Sequence, residues 1–130
     1  MSKRPFVIFG ILAICLAVLI PLWAYSSDAD EDALPASLQK GKDLFVTNCG
    51  TCHTMEAAGT DGNFGPDLDS LLAASGPATG KSEIRATKQR VLYAIEEGVD
   101  SSTPGRMPPG ILAGEQAEQV AAFVSQEAGK

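Results

Sequence analysis

The chain has 130 residues, 45% of them hydrophobic, with ten basic and sixteen acidic residues and a net charge of −6. That length suits one well-buried domain and is too short for two. From Ser27 onward sixteen acidic residues meet only eight basic ones, a net of −8, so the basic face that phosphate contacts need is missing and nucleic acid is excluded as a partner.

Residues 1–5 contain Lys3 and Arg4, and residues 6–25 carry no charge. About 20 apolar residues at helical rise reach about 30 Å, the thickness of a bilayer's hydrocarbon core, so this segment reads as a transmembrane anchor. The competing reading is a cleaved secretory signal, for which Ala24-Tyr25-Ser26 is a loose cleavage site; a signal's apolar core is about 7–15 residues, shorter than this one. A lipoprotein signal ending at Cys15 is weaker still, because bulky Ile14 stands where a small residue is wanted. The positive-inside rule places residues 1–5 in the cytoplasm. The expectation is a single-pass protein of the cytoplasmic (inner) membrane, its domain on the periplasmic or extracytoplasmic side. Residues 26–37, rich in Ser, Asp and Ala, read as an acidic flexible tether, and residues 38–130 as the exported domain.

Within the domain, Ser37 is expected to cap a helix running to about Asn48, with Leu38, Leu44 and Phe45 on its apolar side. A loop from Ala58 to Pro66 follows, with Gly59, Gly62, Asn63 and Gly65, then a helical turn or two at Leu68, Leu71 and Leu72. Ser75 to Ala86 has no assignable pattern. Thr87 is expected to cap a helix to Glu97, with Val91, Leu92, Ala94 and Ile95 at helical spacing and Gly98 as its stop. A last helix spans about Gly114 to Ala128. Runs of alternating apolar and polar residues are missing, which predicts an all-α domain with long loops.

The most informative stretch is Cys49-Gly50-Thr51-Cys52-His53. This CxxCH spacing suits covalent attachment of a haem: each thiol can add to a porphyrin vinyl group, and the next residue's imidazole can bind the iron. Zinc would need further ligands, yet the chain has no second CxxC and His53 is its only histidine. A thiol oxidoreductase would need a strand before the motif, and none is visible. The third cysteine, Cys15, lies in the apolar run, so a disulfide framework is not the reading. The sixth iron ligand must then be another residue type. Met55 is too close to His53 to reach the opposite face, and Met1 belongs to the membrane end. Met107 remains, in the Pro- and Gly-stiffened loop Thr103-Pro104-Gly105-Arg106-Met107-Pro108-Pro109-Gly110.

From Leu38 onward the chain resembles a class I cytochrome c. The resemblance rests on a first helix running into CxxCH, Gly65-Pro66-Asp67-Leu68 after the haem loop, a middle helix, the Met-Pro loop and a final apolar helix. It implies the class I cytochrome c fold around one covalently attached haem c, with His53 and Met107 as metal ligands and the Pro66 carbonyl orienting His53. It also implies a close crossing of the first and last helices, with Gly41 against Phe123 and Phe45 filling the contact.

Such a site implies one-electron transfer and no enzyme activity, by a membrane-tethered carrier or a subunit between a quinol-oxidising complex and a terminal oxidase or another exported acceptor. A haem-based gas sensor or small haem catalyst with an open iron site is the alternative. Lys81, Arg85, Lys88 and Arg90 form a basic cluster that reads as a solvated face or a docking patch.

Overall fold

A computed structural model describes residues 34–100 and 105–130, together with Cys15 and Ala17. The anchor expected at residues 6–25 lies, but for those two positions, outside the described residues, as do residues 1–5 and most of the tether. Among the described residues no helix is long and apolar enough to cross a membrane. Leu34–Lys130 forms a compact unit.

Helix α1, Ala36–Asn48, begins immediately after Pro35. Ser37 is therefore inside the first turn and is not the cap. The Pro35 carbonyl accepts from the N–H groups of Leu38 at 2.7 Å and Gln39 at 3.1 Å, so the backbone starts the helix without a side-chain cap. A proline whose φ is already −49° suits this entry. At the other end, the N–H groups of Cys49 and Gly50 both donate to the Phe45 carbonyl, which winds the helix tightly into the CxxCH motif.

Two short strands depart from the strandless expectation: β1 (Thr54–Met55) pairs antiparallel with β2 (Thr60–Asp61), in register Thr54 with Asp61 and Met55 with Thr60. A 3₁₀ turn, Glu56–Ala58, joins them. Strands of two residues are too short to show alternation. Helix α2, Leu68–Leu72, is capped by Asp67, whose carboxylate accepts from the N–H groups of Asp69 and Ser70.

Helix α3 spans Lys81–Glu97, starting six positions before the expected cap at Thr87. Residues 81–86 contain no glycine or proline, so nothing stops the helix from extending back to Gly80, and Thr87 sits in its interior. The second half of the unassigned Ser75–Ala86 stretch is thus helical. Gly98 ends α3 as expected, at φ 72°. Helix α4 is Gly114–Glu127.

Helix α4 packs against both α1 and α3. Its buried residues Ala117, Val120, Ala121, Phe123 and Val124 recur at three and four, the spacing that puts one apolar stripe on one face. Where α1 crosses it, Gly41 lies on Phe123 so closely that a methyl there would sit 2.8 Å from the Phe123 Cβ. The Phe45 and Phe123 rings meet beside that contact, with centroids 6.0 Å apart at 55°. On the other flank Lys88 of α3 pairs with Glu118 of α4 at 2.5 Å. Met55 is fully buried in the same core.

Candidate functional site

A cavity of about 620 Å³ opens beside this core. Cys49, Cys52, His53, Pro66 and Met107 all line it, though they come from three separate stretches of chain. Phe45, Leu68, Val91, Ile95, Val120 and Val124 give it an apolar wall.

The first stretch is the turn that leaves α1. The N–H groups of Cys52 and His53 both donate to the Cys49 carbonyl, at 3.0 and 2.9 Å, so the pentapeptide is coiled tightly on itself. This brings both thiols and the imidazole to the cavity together. Cys49 is buried, and its thiol is pushed up to about 11 by that burial and, secondarily, by Cys52 nearby. A raised value keeps the thiol neutral, whereas thiol redox sites need a stabilised thiolate.

The second stretch is the loop from Gly62 to Pro66. It is fastened back onto the motif by three bonds: Gly65 N–H to the Cys52 carbonyl at 2.7 Å, Thr54 hydroxyl to the Gly62 carbonyl at 2.9 Å, and His53 Nδ1 to the Pro66 carbonyl at 2.9 Å. A carbonyl can only accept, so Nδ1 carries the proton. That fixes the tautomer and leaves Nε2 with its lone pair free for a metal.

The third stretch carries Met107. Its N–H donates to the Val99 carbonyl and its carbonyl accepts from the Val99 N–H, both at 3.0 Å, forming an isolated antiparallel bridge to the residue just past α3. Gly110 N–H also donates to the Ile95 carbonyl at 2.8 Å. Gly98 makes the approach possible: a Cβ on it would stand 2.6 Å from the Met107 carbonyl oxygen, and its φ of 72° with ψ of −179° belongs to glycine. The methionine is held from both sides of its own backbone.

Sequence reasoning missed Val99, Phe64, Tyr93 and Arg106, which also line the cavity. An aromatic in the glycine-rich loop at Phe64 was a signal available from the chain alone; the pairing of Val99 with Met107 has no sequence pattern. The basic cluster is divided: Lys88 is engaged with Glu118, Arg90 faces the cavity, and Lys81 and Arg85 are exposed.

The arrangement fits a haem. The cavity volume lies within the range of about 300–1,000 Å³ usual for cofactor sites. Its wall is mostly apolar, carries two thiols beside an oriented imidazole, and among the described residues includes two arginines, Arg90 and Arg106, the latter paired with Asp100 at 2.7 Å. On a chain of net charge −6 an arginine at the wall, Arg90, suits a ligand bearing propionate carboxylates.

The family model described as Cytochrome c matches residues 38–127, from the first turns of α1 to the last residue of α4. With that match extending over most of the chain and CxxCH at the wall of a haem-sized cavity, the chain belongs to the cytochrome c family, class I, carrying covalently attached haem c in the service of electron transfer.

Proposed function

We propose that the domain is a six-coordinate electron carrier with His53 and Met107 as axial ligands, tethered to the cytoplasmic membrane by residues 6–25 and facing outward. The observation that carries the reading is the double backbone bridge between Met107 and Val99, which presents a methionine at the wall of the cavity where Pro66 orients His53. Haem c, when bound, supplies an iron that alternates between ferric and ferrous and so takes up and returns one electron.

The chain's own residues do the rest. Cys49 and Cys52 fasten the cofactor, and the Pro66 carbonyl keeps the His53 ring from rotating and raises its basicity. Met107, its backbone paired with Val99, would take the iron's remaining position and so keep a substrate or gas from it. An apolar wall around the iron would disfavour the more highly charged ferric state and so raise the potential. As carrier or subunit it would work between a quinol-oxidising complex and a terminal oxidase or another exported acceptor.

The oxidised holoprotein is expected to show a sulfur-to-iron charge-transfer band that disappears in Met107→Ala, and its ferrous form is expected to bind carbon monoxide only in that variant. High-spin wild-type iron that takes up carbon monoxide readily would refute the closed site and favour a sensor. Membrane attachment is checked by whether the protein needs detergent for extraction, and the partners by what copurifies.

A further inference from the structure

Phe64 is a large aromatic left 55% exposed, in a loop that is otherwise small and polar. Its ring lies against the backbone of Gly105: a methyl on Gly105 would sit 2.5 Å from Cε1 and 2.6 Å from Cζ. Both residues line the cavity.

What the contact joins gives it meaning. Phe64 is followed by Gly65, bonded to the Cys52 carbonyl, and Pro66, bonded to His53. Gly105 precedes by two residues the methionine bridged to Val99. The ring therefore spans two loops, each anchored elsewhere, one holding the imidazole and the other the thioether. A residue needed only for core packing would be buried; this one spends its contact area on a glycine at the cavity wall, where no bulkier residue would fit.

We propose that Phe64 is a positioning residue which, through Gly105, keeps Met107 seated on the iron and small ligands off the face that Met107 covers. The inference rests on Met107 being the axial ligand, and the test separates the two. It uses the full-chain ferric holoprotein in detergent, with imidazole as the probe and the sulfur-to-iron charge-transfer band as the report of Met107 ligation. The wild type is expected to show the band and resist imidazole, while Phe64→Ala binds imidazole about tenfold more tightly and Phe64→Tyr matches the wild type. Gly105→Ala, which forces the ring aside, shifts the affinity in the same direction. In the double variant F64A/G105A the effects do not add, because the methyl no longer meets a ring.

A wild type without the band overturns Met107 ligation and this inference together. A wild type with the band, alongside Phe64→Ala and Gly105→Ala affinities within about twofold of it, overturns the role of Phe64 alone. Should Phe64→Ala fail to accumulate with haem, Phe64→Leu and Gly105→Ala decide by the same criterion.

Discussion

Replacing Gly41 with alanine sets two effects of opposite sign against each other. In the interior of α1, alanine is the better helix former by about 1 kcal/mol. The new methyl, however, points into α4, 2.8 Å from the Cβ of Phe123 and 2.9 Å from the carbonyl carbon of Gln119, with the Gln119 carbonyl oxygen nearer still. Comfortable carbon contacts are about 3.5–4.0 Å, so the helices must part by roughly 0.7–1.2 Å. Rotamer changes cannot relieve this, since the obstacles are backbone atoms and the root of a fully buried side chain. Separation would also loosen the Phe45–Phe123 contact. Overpacking costs about 1–3 kcal/mol, and a clash with backbone belongs at the upper end. Subtracting the helix gain leaves a net loss of about 2 kcal/mol, a fall in melting temperature of about 8–16 °C for a domain of this size. The assay is thermal and denaturant unfolding of the holoprotein, with exposed Lys40→Ala as a control expected to stay within about 0.5 kcal/mol of wild type. A Gly41→Ala protein that melts at or above the wild-type temperature would refute the reasoning.

The Asp69 carboxylate accepts from the N–H groups of Glu56 and Gly129, each at 2.7 Å, tying the turn after β1 to the C-terminus. Asp69→Ala is expected to lose about 1–2 kcal/mol in urea unfolding and to speed amide exchange at Gly129 in particular; unchanged exchange there would contradict it. Gly98→Ala meets both a forbidden backbone conformation and the Met107 carbonyl oxygen, so a loss of about 2–3 kcal/mol is expected together with a weakened charge-transfer band. A full-strength band would count against Gly98 as the seat of the Met107 loop. Asp67 is held below its ordinary 3.8, chiefly by the backbone N–H and then the hydroxyl of Ser70. A depressed folded value stabilises above 3.8, and that contribution is lost as pH falls through the lower folded value. The stability gap between wild type and Asp67→Asn is therefore expected to hold constant above about pH 5 and change below it, and a gap indifferent to acid would dispose of the argument.

Local chemistry made the attachment end of the site legible. CxxCH needs no fold to be recognised, and α1 ends before it because Cys49 and Gly50 close onto Phe45, a turn that the motif itself demands. Gly98 was readable as a helix stop, although the sequence offered no hint that the same residue also makes room for Met107. Cap residues misled in two places. Ser37 and Thr87 are good caps by type, but Pro35 and Gly80 already leave the chain extended one step before each helix, so both candidates fall inside. The contacts invisible in advance are pairings across sequence distance: Asp69 with Gly129, Val99 with Met107, Phe64 with Gly105. Each depends on where the helices have already placed the two partners, and no periodicity encodes it.

The bridge between Val99 and Met107 also says where this chain can change length. Because the two residues bond to each other in both directions, Met107 is fixed beside Val99 by its own backbone. Adding or removing one residue between Asp100 and Gly105 alters loop-closure entropy by only about a tenth of a kcal/mol, and the Val99 pairing still sets where Met107 arrives. The spacing from Cys52 to Pro66 has no such freedom, since the residues between are themselves tied, by the β1–β2 pairing and by the bonds of Thr54 to the Gly62 carbonyl and Thr60 to the His53 carbonyl. Insertions among relatives should accordingly collect between Asp100 and Gly105 and be rare between Cys52 and Pro66.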